Sequence, residues 1–505
     1  MATTSNPFET GSGSAKLASA SYYIPFFVIC VLTAWLISYS GIVAGLGLIA
    51  LPFVLLYLNF LFRNPILGLY TMIPLGFIIL GANRYVKIPQ IGISTDSILV
   101  LTFLALIFKN FYDKVDWKPA KKDITLLAFI WFAYGLMSAA NPEIRSMAVW
   151  LASFRGISVY MLLIITLTLL LLNTRKRLNM FFLLWGIFSI LASLKGIQQV
   201  TLGVDPWEKA WLDAGAHFTH VLFGRLRVFS FLSDAGQFGA NQAYSGVVFI
   251  ILSLSQKDRK KKIFFLIVGV LGLYGMLLSG TRGSISVPLA GFMLYFILRR
   301  NVVVLIIGVF LLAVVFIFFK YTTIGQDNQQ IRRMRTAFDP NDASLQLRLS
   351  NQKKLAVYLS TRPFGGGLGH AGSKAMKSLP NTFLANVATD SWYVMIWAEQ
   401  GVVGLVLHLF ILFYIILKSS YLIVFRIRDP LLKMTMTALT AGMFGVMAAS
   451  YGNAVLGSFP TGVLIYISMA LMLNAEVLDK ETAQENLPAA IPDNFLTFND
   501  ANNKS

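Results

Sequence analysis

The sequence predicts an all-α polytopic membrane protein with about 12–14 transmembrane helices and one large outward loop that contains short amphipathic helices. Hydrophobic residues make up 56% of the 505 positions, and charged residues only 13%. Apolar runs of about 20 residues recur along the chain, and each is long enough to cross a hydrocarbon core of ~30 Å. Because such helices bury one another, we expect one membrane domain, residues 23–475, rather than several soluble domains.

Fourteen apolar segments are predicted to span the membrane. They are 23–40, 42–62, 65–82, 95–111, 124–140, 152–173, 178–200, 238–255, 263–280, 284–298, 301–319, 391–417, 432–450 and 456–475. Residues 1–22 lack a signal-peptide pattern and are expected to form a cytoplasmic segment. The acidic tail, 476–505, is expected to be cytoplasmic and disordered.

The positive charges alternate between the loops, which predicts their sidedness. Lys and Arg cluster at 114–122, 175–177, 257–262, 299–300 and 426–433, which are therefore expected to face the cytoplasm. The intervening loops, 141–151, 201–237, 281–283, 320–390 and 451–455, are expected on the periplasmic side. These cytoplasmic clusters account for most of the net charge of +19, so we do not expect nucleic acid as a partner.

Loop 320–390 is predicted to face outward, yet it carries ten Lys and Arg against four Asp. Either the excess is a solvated surface or it serves an anionic ligand. A helix is predicted from Ala343 to Leu359, with Asp342 or Ser344 as its cap. Pro363 and the glycines of Gly365-Gly366-Gly367-Leu368-Gly369 then end it in a turn. The backbone amides of this turn could approach a phosphate, although glycine runs are common turns.

Three arginines lie beside predicted spans. Arg225 and Arg227 end loop 201–237, where they either extend to lipid headgroups or bind a phosphate through their planar guanidinium forks. Arg282 lies in a minimal turn between two hydrophobic helices. A charge pulled to membrane depth costs ~2.5–3.5 kcal/mol, so Arg282 is expected to have a dedicated partner.

Six short motifs follow one another in a fixed order. They are Arg227-Val228-Phe229-Ser230-Phe231, Ser279-Gly280-Thr281-Arg282-Gly283-Ser284, Arg348, the stretch from Arg362 to Gly369, Asp390-Ser391-Trp392-Tyr393, and Glu399-Gln400-Gly401-Val402-Val403-Gly404. In this order the region 220–415 resembles the superfamily of O-antigen ligases and O-antigen polymerases. The resemblance implies glycan transfer from an undecaprenyl-diphosphate carrier to an acceptor hydroxyl at the periplasmic face of the bacterial inner membrane. It also implies an inverting mechanism without metal or cofactor.

The resemblance implies that arginines hold the diphosphate, here Arg225 or Arg227, Arg282 and Arg348. Ligases of the family have a His-Asn-like pair at the position where this chain has Thr389 and Asp390. A carboxylate can accept the proton of an attacking hydroxyl, so Asp390 is the first candidate base.

Alternative roles remain open for each candidate base. Asp390 can instead cap the following helix. His370, in the same loop, titrates near neutrality and is the second candidate, although a lone histidine is usually structural. Glu399 is the third, and its alternative is a buried pairing partner for an arginine such as Arg282.

The sequence leaves two main classes of function open, besides a purely structural or assembly role, which would not need three separated arginine motifs. The first is glycan transfer, in which the chain is a ligase that uses a lipid A core acceptor or a polymerase that joins repeat units. The second is transport of a lipid-linked or anionic solute, which would more often show repeated halves and broken helices. In both classes the expected partners are a lipid-linked glycan and the bilayer.

Overall fold

The first two helices form a unit of their own. A computed structural model of the chain describes residues 20–86, 92–222 and 224–485, and the chain divides into two units after Asn64. In the first unit α1 (Ala20–Ser40) packs on α2 (Ile42–Arg63). Gly41 joins them with φ of +63°, a left-handed conformation that favours glycine.

The second unit contains the remaining described helices and one small hairpin. The longer helices are α3 (Ile66–Tyr85), α4 (Gly92–Tyr112), α5 (Asp123–Met137), α6 (Met147–Leu171), α7 (Arg175–Thr201), α10 (Ala235–Ser255), α11 (Arg259–Leu278), α12 (Ser286–Leu298), α13 (Val302–Tyr321), α15 (Ala343–Leu359), α17 (Trp392–Phe425), α18 (Pro430–Ala449), α19 (Thr461–Leu473) and α20 (Ala475–Glu485). The shorter elements are α8 (Pro206–Trp211), α9 (His217–His220), β1 (Val221–Leu222), β2 (Arg225–Leu226), α14 (Gln329–Arg335) and α16 (Gly372–Ser378).

The structure confirms an all-α polytopic membrane protein, and a helix coincides with each of the fourteen predicted spans. Among the described residues, ten helices are long and apolar enough to cross a membrane, or eleven if the bent pair α19 and α20 is one span. The other three predicted spans correspond to shorter apolar helices, at Pro25–Tyr39, Gly47–Arg63 and Arg282–Leu298. Within the described ranges, ten or eleven helices thus meet the length and composition of a span, against the predicted 12–14.

Small residues let the central helices approach closely. A side-chain carbon on Gly272 of α11 would lie 2.8 Å from the carbonyl oxygen of Gln242 in α10. One on Gly445 of α18 would lie 2.3 Å from the carbonyl oxygen of Val287 in α12. Membrane helices gain packing energy from such close backbone contacts. As a result 83% of the apolar stretch of α10 is buried, against 6% in α13.

Loops that the charge pattern assigns to the outward side contact one another at one end of the second unit. The contacts are Arg362–Glu143, Arg227–Thr281 and Arg282–Asp342. The opposite end is held by Arg175–Asp429 and by Lys122, which donates to Asn474. The grouping of the loops thus agrees with the charge pattern, while the assignment of one end to the periplasm stays a prediction.

The predicted disordered tail needs a correction. Its first residues continue as helix α20, which is bent by 63° from α19. Asp479 of this helix accepts from the backbone N–H groups of Arg428 and Asp429, so it is tied to the neighbouring loop. Residues 486–505, and residues 1–19 of the predicted segment 1–22, lie outside the described residues, while residues 20–22 belong to α1.

Candidate active site

The turn after α11 is rigidly held by its own hydroxyl groups. Gly280 adopts φ of +57°, which ends the helix. The hydroxyl of Thr281 donates to the carbonyl of Ala235 at 2.8 Å, and the backbone N–H of Thr281 donates to Ser279 Oγ at 3.1 Å. Thr281 and Ser284 are buried. The turn is therefore a fixed platform for the arginine that follows it.

Arg282 has the dedicated partner that its tight turn predicts. Its Nη1 donates to Asp342 Oδ2 at 2.5 Å and to Thr336 Oγ1 at 3.2 Å. Asp342 also caps α15, since it accepts from the N–H of Leu345 at 3.1 Å. Burial alone would raise the pKa of Asp342, but the hydrogen bonds from Arg282 and the helix N–H groups lower it below its usual value. Asp342, and not Glu399, is thus the ion-pair partner that the structure gives Arg282 among the described residues.

Arg227 joins the same turn from the other side. Its Nη2 donates to Thr281 Oγ1 at 3.3 Å and its Nη1 to the carbonyl of Thr219 at 3.2 Å. Its Nε is buried without a hydrogen-bond partner in the described part of the chain. Burial lowers the pKa of Arg227, and the neighbouring Asp234 opposes this effect. Arg225 is exposed on the hairpin, opposite Leu222, so Arg227 is the one of the two that reaches the turn.

Arg333 also lies against this turn, and sequence reasoning missed it. Its Cδ would be 3.4 Å from a side-chain carbon placed on Gly280. Thr336, which binds Arg282, donates its hydroxyl to the carbonyl of Arg333 at 2.9 Å. Burial, and then the like charges of Arg227 and Arg282, lower the pKa of Arg333 to about 10. The basic run at 332–335 is visible in the sequence, but the fold decides which of its arginines turns inward.

Arg348 and Asp390 form an ion pair beside this group of arginines. The distance from Arg348 Nε to Asp390 Oδ2 is 3.1 Å, and Asp390 is half-exposed. A methyl group built on Gly452 would lie 3.6 Å from Gly283 Cα and 3.9 Å from Arg348 Nη1. The loop at 451–455 thus connects the pair to the turn that carries Arg282.

The alternative role of Asp390 as a helix cap is wrong. Ser391 caps α17, since its side chain accepts from the N–H of Val394. The Oδ1 atom of Asp390 has no hydrogen-bond partner within the ranges that the structure describes. The carboxylate is therefore oriented by Arg348 and keeps one oxygen available for a proton.

The glycine-rich turn does not present its central amides to a ligand. The N–H groups of Gly366 and Gly367 donate to the carbonyls of Ala398 and Glu399, at 2.9 and 3.1 Å. These carbonyls are freed by the break in α17 at Gly401, where φ is +69°. The turn therefore supplies hydrogen bonds to the carbonyls that the helix break leaves unpaired. The expectation that the amides of Gly366 and Gly367 approach a phosphate is wrong.

His370 lies at the end of the same turn and is held by the main chain. It is 2% exposed, its Nδ1 donates to the carbonyl of Leu368 at 3.0 Å, and its Nε2 accepts from the N–H of Arg145 at 3.0 Å. Both ring nitrogens are used by the main chain, which argues against His370 as a base. Glu399 is 3% exposed and lies directly before the helix break. Among the described residues His370 forms no hydrogen bond with Arg227, Arg282 or Arg348, and the role of Glu399 as a base stays a prediction.

A buried arginine in α3, also missed from the sequence, positions the loop that carries Arg227. Arg84 Nη1 donates to the carbonyl of Ser230 at 2.6 Å, and its guanidinium lies over the rings of Trp211 and Phe229. Ser230 has φ of +52°, and its N–H donates to Gln199 Oε1 at 2.9 Å. A non-glycine residue in this conformation needs such support.

An apolar cavity lies beside that loop. It has a volume of about 390 Å³ between α3 and α7, and Phe231 closes one side. Its other walls include Phe77, Ile78, Phe188 and Leu191. In the described ranges, no three His, Cys, Asp or Glu residues are grouped so that they could hold a metal ion.

Comparison with known proteins shows which families this chain is similar to. Residues 267–409 match a family model described as O-antigen ligase, and this stretch contains Arg282, Arg333, Arg348 and Asp390. An O-antigen polymerase of Salmonella muenchen is 29% identical over 189 residues, which are 37% of this chain and 45% of that relative. Over these stretches the chain is similar to O-antigen ligases and O-antigen polymerases, in agreement with the resemblance of its motifs. The aligned part spans less than half the length of the relative.

Proposed function

We propose that the protein transfers a glycan from an undecaprenyl-diphosphate carrier to an acceptor hydroxyl at the periplasmic face of the bacterial inner membrane, as an O-antigen ligase does. The observation that carries this proposal is the meeting of Arg227 and Arg282 on one buried turn, beside the Arg348–Asp390 pair. Arginine guanidinium groups match phosphate oxygens in charge and in geometry. The match of residues 267–409 to a family model described as O-antigen ligase supports the same assignment.

The chemistry assigns a role to each group. The acceptor oxygen attacks the anomeric carbon of the glycan, its proton passes to Asp390 Oδ1, and the bond to the diphosphate oxygen breaks with its electron pair. Negative charge then grows on the leaving diphosphate, where arginines aimed at it stabilise the transition state. Because attack and departure occur on opposite faces, the configuration inverts.

The ion pairs seen in the structure are compatible with this role. Arg282 uses Nη1 for Asp342 and Thr336, and a guanidinium has five N–H donors in all. Arg348 uses Nε for Asp390, so its terminal nitrogens remain for a phosphate. Each arginine can therefore bind an anion while its carboxylate partner keeps it in position.

The carrier also needs an apolar surface for its isoprenoid chain. The cavity between α3 and α7 is lined largely by aromatic and aliphatic side chains, and Phe231 belongs to the same loop as Arg227. A chain in this cavity would leave the membrane next to the arginines. This proximity supports a lipid-linked substrate over a free sugar phosphate.

The test is an assay of the purified protein in nanodiscs with undecaprenyl-diphosphate glycan from its host and with EDTA present. Release of lipid diphosphate is followed with and without a lipid A core acceptor. Turnover only with that acceptor supports the ligase. An Arg282→Ala variant at matched abundance serves as the inactive control.

One observation favours a second candidate, a polymerase that joins repeat units. The relative from Salmonella muenchen carries the name O-antigen polymerase. In the same assay, chain growth without lipid A core would support this candidate. Carrier binding or movement across the bilayer without any turnover would contradict both and favour a transporter.

A further inference from the structure

We propose that Arg333 is a further diphosphate-binding residue, which forms a cradle with Arg227 and Arg282 around the turn Gly280–Arg282. The proposal rests on the proposed function, since the ligand is the diphosphate of the lipid carrier. It assigns a role to a residue of the outward loop that no motif of the sequence singles out.

The arrangement of three arginines around one turn supports the proposal. Three elements that are far apart in sequence bring one arginine each to the same turn. Arg227 hydrogen-bonds Thr281 Oγ1, Arg282 follows Thr281, and the aliphatic part of Arg333 lies against Gly280. The absence of a side chain at Gly280 leaves room for this approach, because a side-chain carbon there would already be 3.4 Å from Arg333 Cδ.

Arg333 differs from Arg282 and Arg227 in the charges that surround it. Arg282 is compensated by Asp342, and Asp234 lies near Arg227, but Arg333 forms no ion pair with any residue that the structure describes. Its charged neighbours are the other two arginines. Bringing like charges together in a half-buried site lowers stability, and such an arrangement is typical of a binding site for an opposite charge.

The hydrogen bonds of Arg333 leave its side chain available. The structural contact of this residue runs through its main chain, whose carbonyl accepts from Thr336 Oγ1 at 2.9 Å. Its guanidinium makes no hydrogen bond among the described residues, so its donors remain for a ligand. A diphosphate carries two phosphate groups. Arg282 can bind one of them, and the available guanidinium of Arg333 fits the other.

Arg332 provides a matched control. It precedes Arg333 in α14 and carries the same charge, but it is exposed. If Arg333 acted only through the general positive charge of the loop, the loss of either arginine would have the same effect. If Arg333 contacts the diphosphate, only its own replacement will weaken binding strongly.

The experiment measures binding of undecaprenyl diphosphate by the full-length protein in nanodiscs of zwitterionic lipid. Arg333→Gln is compared with Arg332→Gln and with Arg333→Lys. We expect at least about tenfold weaker binding for Arg333→Gln, since hydrogen bonds between charged groups are stronger than those between neutral groups. Arg332→Gln is expected to change affinity less than about threefold, because exposed charges contribute little.

Two further arms separate the sources of the phosphate. Inorganic pyrophosphate is expected to compete with the carrier, whereas nanodiscs doped with an anionic phospholipid are expected to compete only weakly. Equal losses for the two Gln variants, no binding by the wild type, or stronger competition by the phospholipid would each overturn the proposal. The thermal unfolding temperature of each variant without ligand excludes a folding defect.

Failure of this inference differs from failure of the proposed function. A wild-type protein that transfers glycan, with an Arg333→Gln variant that binds the carrier equally well, removes Arg333 and leaves the proposed function intact. A wild-type protein that binds the carrier through Arg333 but never transfers glycan removes the proposed function and leaves the inference intact.

Discussion

The turn Gly280–Arg282 and the glycine-rich turn at 365–369 lie on the same predicted face, and the sequence marks both as candidate anion sites. Their hydrogen bonds separate them. At the glycine-rich turn the N–H groups of Gly366 and Gly367 donate to carbonyls of the broken helix. At the first turn the side chain of Arg333, and Nε of Arg227, have no partner in the described part of the chain. A motif rich in donors is a candidate binding site only where those donors remain unused.

The largest effect should come from the arginines themselves. Arg282→Ala and Arg348→Ala are expected to lower glycan transfer at least about 10²-fold, because each removes a donor aimed at the charge of the leaving group. Arg→Lys at either position should restore little, since an ammonium cannot form the bidentate contact. Transfer is measured at matched membrane abundance. The control is Arg299→Ala, exposed on a predicted cytoplasmic loop, and wild-type activity in either Arg→Ala variant would remove that residue from the site.

The candidate bases offer the next contrast. Asp390→Asn is expected to lower transfer by about 10²–10⁴-fold, because the amide can still accept from Arg348 but cannot take a proton. His370→Ala should lower abundance, since it leaves the N–H of Arg145 and the carbonyl of Leu368 without their partner. Transfer per folded molecule should change little in that variant. The opposite result, an active Asp390→Asn and an inactive but abundant His370→Ala, would exchange the two roles.

The helix break predicts a defect in folding rather than in chemistry. A side-chain carbon on Gly401 would lie 1.9 Å from the carbonyl oxygen of Pro363, and φ there is +69°. Gly401→Ala should therefore reduce the yield of folded protein, by ~1–2 kcal/mol from the left-handed conformation and more from the clash. Gly156→Ala, which meets no atom within 4 Å, is the control. Yield and thermal unfolding are measured in detergent, and equal yields for the two variants would mean that the break is not needed.

The smallest effect concerns the stability of the cradle without ligand. The pKa of Arg333 is lowered to about 10 from an ordinary value of 12.5. Its charged form is therefore disfavoured by folding, so this cost is present below pH ~10 and is relieved as the pH rises towards 12.5. We expect Arg333→Gln to unfold at a slightly higher temperature than the wild type at pH 7. A lower unfolding temperature would show that the side chain stabilises the loop, contrary to a binding role.

Much of the fold could be predicted from the sequence. Apolar runs predict the helices because an α-helix that crosses a bilayer needs about 20 apolar residues. Asp342 was a predicted cap of α15 because capping depends on three neighbouring residues. The tight turn at Arg282 predicted a partner, since a charge there cannot stay unpaired.

Other features could not be predicted, because they depend on contacts between distant segments. The exposed Arg332 and the half-buried Arg333 carry the same side chain, and only the packing of α14 against Gly280 distinguishes them. The role of His370 follows from the N–H of Arg145, which lies 225 residues earlier. The identity of the partner of Arg282 follows from a contact across 60 residues.

The sequence by itself determined that the chain is a membrane protein, where its helices lie, how its polar loops group and which superfamily it resembles. Hydropathy, charge and short motifs are local properties of the chain. The tertiary structure alone decided which polar groups are used and which are available. It used amides of the glycine turn for the carbonyls of the broken helix and both ring nitrogens of His370 for main-chain hydrogen bonds. It left the guanidinium of Arg333 without a partner among the described residues. The physical reason is that a hydrogen-bonding group is saturated or left open by its neighbours in space, and these come from segments far apart in the chain.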